Sequence, residues 1–194
     1  MPTRIFLCGM PGSGKTTLGK NLAAYLTKPF YDLDDLIEAR AGQTVRRIFE
    51  TKGEAHFRKL ERDALQGFIE SERDSGTSIL SLGGGTPCFY DNMQMVVASG
   101  VSIFLNTPLT VIKDRMMAED QMLKRPLLSG ASAEGLDKEL LTKYQERLPF
   151  YDKAHLKIKG DESLSFISLS IDAIADKLSE GKTDSNSDSG FSDF

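Results

Sequence analysis

The chain has 194 residues, 40% hydrophobic and 27% charged, with a formal net charge of −4. That suffices for one soluble globular domain with its own core; the acidic balance gives no electrostatic case for a nucleic-acid partner, and no apolar run approaches the roughly 18 residues of a membrane span. Two cysteines without motif spacing, Cys8 and Cys88, fit a reducing cytoplasm better than a disulfide framework, and only two histidines, His56 and His155, exclude a histidine-rich metal centre.

The opening MPTRIFLCGM is too short in its apolar part for a signal peptide. Residues 4–9 within it read as a buried strand, and 15–26 as a helix with Leu18, Leu22, Tyr25 and Leu26 at helical spacing. KPFYDLD (28–34) is strand-like and ends in acids. A short helix stopped by Gly42 follows, then one stopped by Gly53, then a long amphipathic helix over 54–72 that carries His56 on an exposed face. Next come a strand at 78–82, a helix near 91–99, a strand at 101–106, and a helix capped by Thr107 with Pro108 in its first turn. Residues 118–133 read as a mobile lid, with Met116, Met117 and Met122 about its hinge. A helix ending before Pro149, an edge strand at 155–159 with His155 on its outer face, and a helix at 163–178 complete a single domain over 1–179. The polar segment 180–194 reads as a disordered tail. Strands alternating with helices predict an α/β fold, an open parallel five-stranded sheet covered on both faces.

GMPGSGKT (9–16) fits G-x-x-x-x-G-K-[ST] without a gap, between a strand and a helix. Gly12 and Gly14 let the backbone turn tightly, so that N–H groups around Ser13 face phosphate oxygens. The helix N-terminus, with Thr16 and Thr17, adds its dipole. Lys15 can reach the β- and γ-phosphates and Thr16 can ligate magnesium, so ATP and Mg2+ are the expected ligands. The plain alternative is a glycine-rich turn that only starts a helix.

Asp32 and Asp34 stand at the C-terminal end of the second strand, the sheet edge on which the phosphate loop also lies. If the chain stays extended, a spacing of two puts both on one side. One acid can then orient magnesium through water while the other accepts a proton from an alcohol. Alternatively, Asp34 merely caps the next helix. The strand ILSL runs into Gly83, Gly84 and Gly85. Three glycines there permit close backbone approach and expose N–H donors for an acceptor, or form a plain bulge. Arg58 and Arg147 could pair with a planar carboxylate, but sequence physics does not separate them from Arg46, Arg47, Arg62 and Arg73.

Taken in order, GMPGSGKTT, FYDLDDLIEARAGQTVRRIFETKGEAHFRKLE, ILSLGGG, KRPLL and ERLPFYDKA resemble the shikimate kinases over nearly all of residues 4–178. The resemblance implies phosphoryl transfer from ATP to the 3-hydroxyl of shikimate, a step of aromatic amino-acid biosynthesis, by a monomer acting on small molecules. It implies Lys15, Asp34 and Arg125 as catalytic residues, with Asp34 meeting the acceptor hydroxyl and Arg125 reaching the transferring phosphate from the lid. It implies Arg58 and Arg147 as carboxylate clamps, Gly84 in the acceptor cradle, and Asp32 behind the magnesium. The family commonly carries an arginine after the fifth strand, against adenine; KGDESLSF has none, and Arg115 is the substitute candidate. Two rival functions remain at this point, a kinase for another small acceptor such as gluconate or a nucleoside monophosphate, and a non-catalytic ATP-binding switch.

Overall fold

A computed structural model describes residues 4–71, 76–117 and 133–184. Five strands form one parallel sheet: β1 (Arg4–Cys8), β2 (Phe30–Asp32), β3 (Ser78–Ser81), β4 (Val101–Leu105) and β5 (Leu156–Ile158), in the order β2-β3-β1-β4-β5. Among the described residues, seven helices connect and follow them: α1 (Lys15–Leu26), α2 (Leu33–Ala41), α3 (Val45–Ser71), α4 (Asn92–Ser99), α5 (Leu109–Met117), α6 (Ala133–Tyr151) and α7 (Leu164–Asp184). A 3-10 turn, Thr86–Cys88, follows the glycine triplet.

The strand order explains the residue pattern. Central β1 is covered on both faces, so Ile5, Phe6, Leu7 and Cys8 are all buried and the strand shows no polar alternation. Its residues still alternate between two cores. Phe6 and Cys8 join Leu33, Leu65 and Tyr151 on one face; Ile5 and Leu7 join Leu22, Ile103 and Ile167 on the other. Because the pairing is parallel throughout, β1, β2 and β3 have their C-terminal ends at one edge, which is where loops in such a sheet form a binding crevice.

Four boundaries depart from the sequence reading. β2 ends at Asp32, so the chain does not stay extended through Asp34; Asp32 is itself the cap of α2, its carboxylate accepting from the Asp34 N–H at 3.1 Å. The two helices expected on either side of Gly53 form one element, kinked where Gly53 takes φ 75° and ψ 173°. Helix α6 runs through Pro149 to Tyr151. A proline so near the end removes one backbone bond, and the turn continues with Asp152 N–H on Leu148 O at 2.9 Å. Helix α7 runs to Asp184, past the boundary at 179, because Ile174, Ala175 and Leu178 dock it on the core and no proline stops it. The lid at 118–133 lies outside the described residues except for Ala133, and so do residues 185–194 of the tail. No described helix is long and apolar enough to cross a membrane.

Candidate active site

The loop between β1 and α1 wraps around its own start. Gly12 and Gly14 adopt φ 81° and 102°, conformations that a side chain would strain. Gly9, at φ 143°, must lack a side chain for a second reason as well: a Cβ would stand 2.6 Å from Leu105 O. Ser13 is buried, its N–H on Met10 O at 3.1 Å, and its carbonyl accepts from Thr107 Oγ1 at 2.8 Å. Lys15 Nζ is held inside the loop, donating to Gly9 O and Met10 O at 3.0 Å each. Thr16 and Thr17 are exposed in the first turn of α1. These donors at a helix N-terminus make an anion cradle.

Beside it, Thr16 Oγ1 donates to Asp32 Oδ2 at 3.0 Å. A hydroxyl and a carboxylate in contact at the phosphate end of α1 are hard oxygen donors, the set that suits Mg2+ completed by phosphate oxygens and water. Among the described residues no group of three or more His, Cys, Asp or Glu gathers as a metal site, so the fit is to a cation shared with substrate. Asp34 stands two residues on, in the first turn of α2. Burial, then the charges of Asp32 and Glu61, push its carboxyl up to about 6, against the pull of Lys15. It remains ionised at neutral pH yet is far more basic than an ordinary aspartate, which suits a proton acceptor.

The glycine triplet is explained by crowding. A Cβ on Gly83 would meet Glu61 Oε1 at 2.8 Å, on Gly84 the Pro11 ring at 2.6 Å, and on Gly85 the Arg58 guanidinium at 2.8 Å. Thus Gly84 rests directly on the phosphate loop. Arg58 is buried, stacked on Phe89 with its guanidinium carbon 4.1 Å from the ring centroid. Its Nη1 donates to Glu61 at 2.8 Å, and its Nη2 to the exposed Glu54 at 3.0 Å. Glu61 also accepts from Thr86 Oγ1 at 2.6 Å, and Thr86 O accepts from Asn92 Nδ2 at 2.9 Å. This chain of bonds fixes the floor of the triplet.

Arg147 reaches the same place from α6. Its charge acts on Cys88, just past the triplet, and on Tyr151. Its Nη1 is buried and has no hydrogen-bond partner among the described residues, an arrangement that a bound anion would satisfy. Burial nevertheless holds the Cys88 thiol at about 11, so it is not a thiolate nucleophile at neutral pH. The structure therefore brings Lys15, Thr16, Asp32, Asp34, Arg58, Gly84 and Arg147 to one end of the sheet; Arg125 lies outside the described residues.

A sequence model of the family described as shikimate kinase matches residues 11–180. The chain belongs to the shikimate kinase family. A shikimate kinase of Phocaeicola vulgatus is 41% identical over 180 residues, 92% of this chain and 99% of that protein. The 1.7 Å crystal structure of shikimate kinase from Bacteroides thetaiotaomicron superposes with a TM-score of 0.75 at 39% identity, covering 91% of this chain and 98% of that one. Shikimate kinase from Acinetobacter baumannii, in complex with shikimate, superposes at 0.74 and 29% identity over 93% and 95% of the two chains.

As a shikimate kinase the chain shows two features that sequence reasoning passed over. Glu61 is 1% exposed and joins Arg58 to Thr86; its three-residue spacing from Arg58 was the available signal. Phe89, the ring under Arg58, had none. Arg115, the candidate to replace the missing adenine-side arginine, donates to Ser13 O at 2.9 Å and Gly12 O at 3.2 Å, so its guanidinium lies on the loop between β1 and α1. His56 is half-buried rather than exposed, and its Nε2 has no hydrogen-bond partner among the described residues. His155 is tied inward, its Nδ1 accepting from the Ser102 N–H at 3.1 Å.

Proposed function

We propose that this chain transfers the γ-phosphoryl group of ATP to the 3-hydroxyl of shikimate, giving shikimate 3-phosphate and ADP. The observation that carries this reading is the contact of Gly84 with Pro11, which joins an acceptor cradle to a phosphate loop, with Asp34 at their junction. Lys15 leaves the loop carbonyls to meet the β- and γ-phosphates, and the N–H groups of residues 12–17 hold the phosphate chain. Thr16 and Asp32 would hold Mg2+, which when bound neutralises phosphate charge. Arg58 and Arg147 hold the acceptor carboxylate, and Arg115 lies toward the adenine end. The acceptor oxygen forms its bond to the γ-phosphorus as the bond from that phosphorus to the β,γ-bridging oxygen breaks. ADP leaves with the electron pair, and Asp34 takes the hydroxyl proton. Arg125, by family resemblance, adds positive charge at the transferring group.

A coupled ADP-release assay over shikimate, gluconate and nucleoside monophosphates tests the acceptor. Turnover with shikimate alone is expected. Faster turnover with another acceptor would replace this reading with the rival kinase, and ATP binding without turnover on any acceptor would replace it with the switch.

A further inference from the structure

Tyr151 is among the largest fully buried side chains of the protein and has no place in the chemistry above. It ends α6, one turn after Arg147. Its ring packs on Phe104 with centroids 5.0 Å apart, which core packing explains. Its hydroxyl has more specific partners. It donates to Gly84 O at 2.5 Å and stands 3.9 Å from Met10 Sδ, in the phosphate loop. A phenol has one hydrogen to give, and the carbonyl is the stronger acceptor, so the hydroxyl oxygen keeps its lone pairs for other neighbours. The Arg147 guanidinium is one of these, close enough to oppose the rise that burial causes in the Tyr151 ionisation.

The choice of Gly84 O as acceptor is what matters. The Gly84 carbonyl and the Gly85 N–H belong to one planar trans peptide and point opposite ways. Fixing the carbonyl against α6 therefore fixes the direction of that N–H on the other side of the chain. Between two glycines, no Cβ resists rotation of this peptide unit. A glycine cradle that allows close approach is thus also one that can turn its donor away. Crowding by Pro11 on Gly84 and by Arg58 on Gly85 limits where the Cα atoms go, and it leaves the peptide plane between them to a hydrogen bond.

We propose that Tyr151 is a positioning residue for acceptor binding: its hydroxyl locks the Gly84–Gly85 peptide and braces Arg147, so that cradle and clamp are set before the acceptor arrives. The inference rests on the acceptor reading of Gly84 and Arg147. It assigns the hydroxyl a role in acceptor affinity and none in nucleotide binding, since its contact with the phosphate loop is the weak one to the Met10 thioether at 3.9 Å.

Tyr151→Phe keeps the ring and removes the hydroxyl, and Phe104→Leu is the packing control, removing the ring contacts with Tyr151 and Lys157 while leaving the Tyr151 hydroxyl in place. Losing one hydrogen bond of this kind predicts about a three- to tenfold higher acceptor KM for Y151F. The ATP dissociation constant should stay within about twofold of the parent. F104L should lower Tm without raising acceptor KM. In an R147A background the Y151F effect should shrink, because part of it acts through the clamp. If R147A raises acceptor KM but Y151F does not, the positioning role is overturned and the acceptor reading stands. If R147A leaves acceptor KM unchanged, that reading itself fails. Equal KM increases in Y151F and F104L would also overturn the proposal, because ring packing and not the hydroxyl would then set the cradle.

Discussion

Replacing Asp34 by asparagine should make the protein more stable and nearly inactive, with the stability gain appearing only above a defined pH. The carboxyl is pushed from 3.8 up to about 6 in the folded protein, by burial first and then by Asp32 and Glu61. Below the unfolded value both states hold the proton, and the parent and D34N differ little. Between about 4 and 6 the unfolded chain ionises while the native carboxyl resists, so the native state binds more protons and parent stability falls as pH rises. Above 6 the full cost is present. Two units at 1.36 kcal/mol each set an upper limit of about 3 kcal/mol, and since Asp34 keeps some solvent contact, about 2 kcal/mol is expected. A gain of that size raises Tm by about 4–8 °C in a chain of this length. Thermal melts of both proteins from pH 3.5 to 8 give the difference curve, and kcat should fall by about 10²–10⁴ with loss of the base. For the parent, kcat/KM should decline as pH drops through about 6. A D34N protein less stable than the parent at pH 7.5, or a gain that does not change with pH, would refute the buried-charge account.

Lys15→Ala should lose turnover by at least about a hundredfold while circular dichroism and Tm stay close to the parent, since the ammonium bonds to carbonyls of its own loop, Gly9 O and Met10 O, and not to the hydrophobic core. Gly84→Ala puts a methyl 2.6 Å from the Pro11 ring, which is part of the phosphate loop and not a flexible side-chain end; initial rates should show a higher acceptor KM and a lower kcat together. His155 accepts the Ser102 N–H and burial holds its ionisation below the usual 6.5, so the native state binds fewer protons than the unfolded chain. Urea denaturation should therefore show stability lost as pH falls below about 6.5, opposite in sign to the Asp34 effect, and His155→Asn should flatten that loss.

The parts of the site legible in the sequence are those whose signals are local. The phosphate loop is eight consecutive residues at a strand–helix junction, and Asp32 and Asp34 adjoin a strand end. The triplet was legible as a demand for small residues; its three separate reasons, Glu61, Pro11 and Arg58, lie in other elements. Arg58 and Arg147 needed family resemblance, because a clamp is defined by what surrounds it in space. Tyr151 was invisible for the same reason, its partner Gly84 standing 67 positions away. Pro149 misled because the local stop signal is outweighed by Tyr151, buried in the core two residues later.

The two arginines are held differently, and this separates their contributions to stability and binding. Arg58 and Glu61 form a buried ion pair with side chains 9% and 1% exposed. Such a pair adds little net stability, but removing one partner strands the other charge. Arg58→Ala leaves the Glu61 carboxylate with Thr86 as its remaining hydrogen-bond donor, so it should cost about 3 kcal/mol of folding stability besides acceptor affinity. Among the described residues Arg147 pairs with no carboxylate, and its Nη1 is a buried donor without a partner. Arg147→Ala removes that unsatisfied group, so urea denaturation should show little loss, while acceptor KM rises by about 10- to 150-fold for a lost charge-assisted pair. A shikimate analogue without the carboxylate should bind the parent poorly and R147A about equally poorly, so the variant discriminates less. Were R147A as destabilised as R58A, its KM would report a damaged fold; were it to reject the analogue as sharply as the parent does, the carboxylate would be held without Arg147. Arg58 is committed to Glu61 and Glu54, whereas among the described residues Arg147 Nη1 is left without a partner, and it is this difference that the two variants read out.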